Sequence, residues 1–249
     1  MFPSQPFDAR LVAANRLTPS VRELVFERAD SAPFQFDPGQ WVNLVLPLPE
    51  GEIKRAYSIA SAPSAGSPRF ELAVTHVEGG PGSQYLHRMR EGDSLRAIGP
   101  QGLFTRGKDT IVPSLFIATG TGVTPFRSMI QAALKAGETA PLWLLFGARY
   151  EEDILYGDEL KRWAAEHPHF RYAITLSRAS SGWTGRRGYV QHHASELVRE
   201  LRALGGEGGA GVEPHAYICG LDRMVSAAKD LLRNELALPR KHVHTERYD

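Results

Sequence analysis

The hydrophobic rhythm of the chain changes once, and that change limits the folds open to it. From Phe7 to about Phe104, apolar residues come in short alternating runs broken by proline and glycine. Beyond about Arg106, apolar runs alternate with segments of helical spacing. A period near two builds half-buried antiparallel strands, whereas strand–helix alternation builds parallel strands joined by right-handed crossovers. One sheet does not accommodate both patterns. With 249 residues, the chain has room for two domains of roughly 100–200 residues. The expected division is 1–105 and 106–249.

In the first half, strands are predicted over Phe7–Ala14, Val21–Glu27, Trp41–Leu46, Arg55–Ile59, Phe70–His76 and Ser94–Ile98. Asp37-Pro38-Gly39, Pro49-Glu50-Gly51 and Gly79 to Gly82 mark turns between them. The spacing predicts a small antiparallel six-stranded β-barrel. One helix, Gly82–Arg90, interrupts it, with Ser83 as its expected N-cap. The second half predicts strands over Ser114–Ala118, Pro141–Phe146, Phe170–Leu176, Ala216–Cys219 and His242–Glu246. Helices are expected from Pro125 and over Ile154–Glu166, Val190–Leu204 and Asp222–Leu236, giving an α/β domain around a parallel five-stranded sheet. Gly205–Gly211 reads as a flexible connection.

Composition removes several function classes. The 42% hydrophobic and 23% charged residues suit a packed core rather than disorder. A net charge of +1 offers no global field for nucleic acid or an anionic membrane. The single cysteine, Cys219, cannot supply an internal disulfide or a thiolate-bound iron–sulfur cluster. Redox chemistry would therefore use an organic cofactor or a separate partner. No run of about 18 apolar residues and no signal-peptide pattern is present, so a soluble cytoplasmic protein is expected; a monomer is the default assembly.

Three groups of residues carry chemistry. Gly120-Thr121-Gly122-Val123-Thr124-Pro125 joins a strand to a helix, where backbone N–H groups can approach a phosphate. On its own, that turn equally suits any tight strand–helix connection. On Arg55-Ala56-Tyr57-Ser58, alternation places a cation and an aromatic ring on one face, suited to a pyrophosphate and a flat ring. An ordinary strand with a surface arginine has the same pattern. Arg149, Ser177-Arg178 and Arg186-Arg187 all follow the carboxyl ends of predicted parallel strands, where open α/β sheets bind ligands. The histidines at 167, 169, 192, 193, 242 and 244 lack the spacing of a helical zinc site, and no metal is expected.

Taken in order, Phe36-Asp37-Pro38-Gly39-Gln40, Arg55-x-Tyr57-Ser58, Gly82-Ser83, Gly99-Pro100, Gly120-Thr121-Gly122, Ser177-Arg178, Cys219-Gly220 and Glu246-x-Tyr248 resemble the ferredoxin–NADP reductase family, in its bacterial ferredoxin/flavodoxin branch. The resemblance implies an FAD-binding barrel and an NADP(H)-binding α/β domain. It implies hydride transfer between NADP(H) and FAD, and single-electron exchange with ferredoxin or flavodoxin. For FAD it points to Arg55, Ala56, Tyr57, Ser58, Thr75, His76, Gly82, Ser83, Thr121 and Tyr248. For NADP(H) it points to Gly120, Thr121, Gly122, Arg149, Ser177, Arg178, Arg186 and Cys219. Ser58, Cys219, Glu246 and Tyr248 would surround the reacting rings. Asp249 after Tyr248 departs from many relatives. The alternatives are an NAD(P)H-dependent flavin reductase or oxygenase reductase component and, in another class, a non-catalytic nucleotide-binding redox module.

Overall fold

Turn chemistry closes the first hairpin. Strands β1 (Gln5–Arg16) and β2 (Val21–Arg28) meet at Thr18, whose Oγ1 accepts from the backbone N–H groups of Ser20 and Val21 at 3.3 and 3.1 Å. β3 (Trp41–Leu48), β4 (Gly51–Ser58), β5 (Arg69–Thr75) and β6 (Ser94–Gln101) complete an antiparallel sheet of order β4-β3-β6-β1-β2-β5. The two outer strands meet where Ile59 bridges Leu72 and Ala60 N–H donates to the Glu71 carbonyl at 2.8 Å. This closes the sheet into the expected barrel, whose neighbouring strands all run antiparallel. This computed structural model describes residues 4–107, 111–204 and 212–248; the glycine-rich connection Gly205–Gly211 and Asp249 lie outside them.

Aromatic residues fill the barrel. Phe7, Phe26, Phe34, Phe36 and Phe70 are buried, with ring centroids 4.9 to 6.0 Å apart in tilted, edge and stacked pairs. Such pairs contribute about 1 kcal/mol each beyond the area they bury. Helix α1 (Pro81–Arg88) follows β5. Its N-cap is Gly80, not the expected Ser83, because Pro81 takes the first helical position, where the missing N–H costs nothing. Ser83 lies in the first turn, where its hydroxyl accepts from Val77 N–H and donates to the Gly80 carbonyl, both at 3.0 Å.

The chain separates into two compact units: Met1–Arg106 with Thr124–Ala133, and Gly107–Val123 with Leu134–Asp249. Most of helix α2 (Thr124–Lys135) therefore belongs with the barrel. Arg127 Nη1 reaches the Ala60 carbonyl at 3.1 Å and the Glu71 carboxylate, Ser128 donates to the Ser61 carbonyl at 2.6 Å, and Gln131 accepts from Ala62 N–H at 2.7 Å. These bonds clamp the segment directly after the Tyr57–Ser58 strand end.

In the second unit β7 (Ser114–Thr119), β8 (Leu142–Ala148), β9 (Phe170–Leu176), β10 (Arg186–Arg187), β11 (His215–Leu221) and β12 (Val243–Tyr248) form one parallel sheet of order β10-β9-β8-β7-β11-β12. The expected five strands become six. The addition, β10, has two residues, too few to show a period of two. Helices α4 (Gln191–Leu204) and α5 (Asp222–Asp230) pack Leu197, Val198, Val225 and Ala228 on the sheet face that carries Leu115, Ile117, Leu145 and Ile218. Helix α3 (Gly157–Glu166) lies on the other face, where Trp163 meets Phe170 edge-on at 5.8 Å. It starts three residues later than its spacing suggests, because Tyr156 takes a left-handed conformation (φ 57°). The helix expected to run to Leu236 passes into a π-helical turn at Leu231–Glu235. No helix among the described residues is long and apolar enough to cross a membrane.

Candidate functional site

In the first unit, the strand end and the helix start build one candidate site. Arg55 and Ala56 are exposed on β4, Tyr57 packs against the barrel core, and Ser58 is buried. Burial pushes the Tyr57 phenol up to about 12, slightly opposed by the nearby Arg55 charge. Gly82 sits under this strand: a Cβ there would lie 3.2 Å from Leu46 Cδ1 and 3.3 Å from Arg55 Cγ. The N-terminus of α1 has no side-chain cap and no acidic residue in its first turn. The Arg55 stem passes this helix start while its Nη1 donates to the Lys54 carbonyl at 2.9 Å; bare backbone N–H groups and a nearby arginine form the donor set of a pyrophosphate cradle. The fold thus brings Arg55, Gly82 and Ser83 together from separate segments. Thr75 ends β5, and exposed His76 follows with its ring edge-on to His87 at 5.1 Å.

The second unit supplies a candidate phosphate turn of another design. Gly120–Val123 is a 3₁₀ turn after β7, with Gly120 in the left-handed region (φ 53°). Gly122 is pressed on β11: a Cβ there would stand 2.3 Å from the Cys219 carbonyl oxygen and 2.8 Å from Gly220 Cα. Gly220 (φ 146°) has the reciprocal constraint, since its Cβ would fall 2.4 Å from Thr119 Oγ1. That hydroxyl is itself buried with no hydrogen-bond partner, an unpaired polar group at the strand end. The two strand ends thus approach so closely that only bare backbone fits. Thr121 is half-buried in the same turn.

The carboxyl ends of β11 and β12 place three side chains together. Cys219 pairs with Glu246 in register, and Leu221 with Tyr248. Burial, and then the Glu246 carboxylate, push the Cys219 thiol far above its usual range, opposed by a hydrogen bond with the Tyr248 side chain. Cys219 is thus held as a neutral thiol: it offers a soft packing surface and a weak donor, not a nucleophile. Asp222, at the start of α5, pairs with Arg247 at 2.9 Å.

Toward the opposite edge of the sheet, β8 and β9 run on past their ends: Ser177 N–H donates to Ala148 O at 3.0 Å, and Arg178 N–H to Arg149 O at 2.9 Å. Arg149, Ser177 and Arg178 are exposed there. Arg178 lies over Tyr150, 5.9 Å from the ring centroid and 3.1 Å from its hydroxyl. Arg186 on β10 is engaged otherwise, in a two-pronged ion pair with Glu196 of α4. Tyr150 and Glu196 escape sequence reasoning: a tyrosine after a strand and a glutamate on a helix are unremarkable until the fold sets arginines beside them.

Comparison with known proteins agrees with this division of labour. Residues 8–105 match the model of the oxidoreductase FAD-binding domain, and residues 116–230 that of the oxidoreductase NAD-binding domain. Over 249 residues the chain is 63% identical to ferredoxin–NADP reductase B of Sorangium cellulosum (strain So ce56), and the match covers 100% of both chains. The chain belongs to the ferredoxin–NADP reductase family. Other proteins are similar to this chain as well. The phenol hydroxylase P5 protein of Acinetobacter pittii (strain PHEA-2) is 31% identical over 98% of this chain, which spans 66% of that protein's length. The crystal structure of the Amycolatopsis cytochrome P450 reductase GcoB superposes with a TM-score of 0.85 and 25% identity, over 99% of this chain and 71% of that one. Both candidate sites have chemistry in keeping with the ferredoxin–NADP reductase family: bare glycines and an uncapped helix start suited to phosphates, and a neutral thiol at a strand end.

Proposed function

We propose that the protein is an FAD-dependent oxidoreductase that passes reducing equivalents between NADP(H) and ferredoxin. The observation that carries this reading is the end-to-end match at 63% identity to a ferredoxin–NADP reductase. Bound FAD supplies an acceptor that takes two electrons as hydride and gives them up singly. The chain supplies binding and alignment. In the first unit Arg55, with the α1 backbone N–H groups at Gly82 and Ser83, binds the FAD pyrophosphate. Ala56, Tyr57, Ser58, Thr75 and His76 line the rest of the cofactor, and the buried Ser58 hydroxyl offers a hydrogen bond to the flavin ring.

In the second unit, the Gly120–Thr121–Gly122 backbone receives the NADP(H) pyrophosphate. Arg149, Ser177, Arg178 and Arg186 take the adenosine and its 2′-phosphate. Cys219 and Glu246 position the nicotinamide, and Cys219 does so without ionising. Flavodoxin as a second carrier, a monomeric state and a cytoplasmic location are part of this proposal.

The test is spectroscopic. The purified protein is expected to be yellow, to bleach within seconds of NADPH addition, and to recover colour when oxidised ferredoxin is supplied. A colourless protein, or one that NADPH leaves yellow, overturns the reading. An oxygenase reductase that works through a separate cluster protein is the second reading, favoured by the likeness to the phenol hydroxylase P5 protein. Equal turnover with ferredoxin and with free flavin would favour a flavin reductase instead.

A further inference from the structure

Arg186 does not stand open. Its Nη1 and Nη2 both meet the Glu196 carboxylate, the second at 3.1 Å, so one acid occupies the face of the guanidinium that would grip a phosphate. His193 completes the arrangement: its Nε2 bonds the Arg187 carbonyl at 2.9 Å, and its Nδ1 lies 3.4 Å from Arg186 Nη1. A ring that donates from Nε2 presents a lone pair at Nδ1, so His193 also takes a proton of the guanidinium as acceptor. Glu200 lies one turn further along α4 and adds a second negative charge in the field of Arg186. Around Arg186 two carboxylates thus face one cation. By contrast, Arg187 is spent on the carbonyls of Ala179, Ser180 and Trp183, and Arg178 faces the neutral Tyr150 hydroxyl.

On the proposal that Arg186 meets the 2′-phosphate, we infer that Glu196 sets nucleotide selectivity by competing with that phosphate for the Arg186 guanidinium. NADPH must displace a carboxylate and approach a second one; NADH, lacking the phosphate, meets neither obstacle. Glu196 is therefore a positioning residue that holds the preference for NADPH below what the arginines alone would give. Its side chain is 53% exposed, so the competing pair has the strength of a surface ion pair, and its removal changes affinity by about two- to fivefold.

Glu196→Gln keeps the size and one hydrogen-bond acceptor while removing the charge. In this variant the KM for NADPH falls about two- to fivefold, with kcat and the KM for NADH unchanged. The dissociation constant for 2′-AMP, titrated directly, falls by the same factor, and the gain fades as salt is raised. In an Arg186→Gln background, Glu196→Gln gives no gain. Unchanged or weaker 2′-AMP binding in Glu196→Gln overturns the inference, while wild-type discrimination between NADPH and NADH leaves the NADP(H) reading standing. If wild-type protein binds 2′-AMP no better than 5′-AMP and Arg186→Gln changes neither, the phosphate assignment of Arg186 fails, and the inference with it.

Discussion

Tyr57 shows how one residue carries both packing and chemistry. Its half-buried ring packs against the barrel core, and that burial pushes the phenol up to about 12. The folded pKa exceeds the unfolded value of about 10, so the stabilisation is complete below pH 10 and is lost as pH rises from 10 to 12. A rise of that size corresponds to about 2.7 kcal/mol at most. Ultraviolet titration of the apoprotein is expected to show one tyrosine ionising near 12, absent in Tyr57→Phe, with the alkaline limb of unfolding flatter in that variant. Titration of every tyrosine near 10 would show the ring open to water. The residue motif around Tyr57 is legible in the sequence because alternation on a strand fixes which side chains share a face. The role of Ser83 is only half legible: its place near the helix start follows from Pro81 and Gly82, but its hydroxyl turns back to Val77 and Gly80. The Arg186–Glu196 pair is not legible, since it joins two elements whose packing no local pattern encodes.

Elements differ in how much of themselves they write into the sequence. The strands of both sheets stand out through their runs and turns, because glycine and proline punctuate them. β10 escapes because two residues carry no period, and the shift from α5 into a π-helical turn follows packing rather than propensity. β12 is the informative case. Tyr217 stacks on Phe116 at 5.4 Å and on His244 at 4.5 Å, while His215 stacks on His242 at 4.3 Å and lies 3.3 Å from His244 across Nδ1 and Nε2. These rings hold the start of the edge strand whose far end carries Glu246 and Tyr248. Burial, and then the neighbouring His242, depress the His244 pKa. The folded state binds fewer protons here than the unfolded one, so the stabilisation is complete above the unfolded value of about 6.5 and is lost as pH falls from there through the lowered folded pKa. Replacing His244 by Phe keeps the stack and removes the titration. The difference in melting temperature between pH 7.5 and 5.5 is then expected to shrink by about 2 °C. An unchanged difference would assign the acid sensitivity elsewhere, to His87 or His169, whose pKa values burial also lowers.

At the scale of the whole molecule, the two units answer to two ligands. The barrel offers an uncapped helix start beside Arg55, and the parallel sheet offers a glycine turn and a row of arginines after its strand ends. Each cradle is assembled from residues of its own unit, so the loss of one ligand should leave the other in place. On the proposed assignment of Arg55 to the FAD pyrophosphate, Arg55→Ala removes a charge-assisted contact worth about 1.5–3 kcal/mol, or roughly tenfold or more in affinity. That variant is expected to emerge from gel filtration with a lower ratio of flavin to protein absorbance. Its dissociation constant for 2′-AMP should stay within about twofold of wild type. Arg178→Ala is expected to do the opposite, retaining flavin and losing about tenfold in 2′-AMP affinity, with the NADPH to NADH ratio of kcat/KM reduced to match. If either substitution lowers both measures together, binding in one unit depends on the other, and the division of labour drawn from the two cradles is wrong. The near-balance of charge, +1 over the chain, adds a condition: without a global field, ferredoxin would be attracted only by local arginine clusters. The association rate should therefore fall steeply as salt is raised.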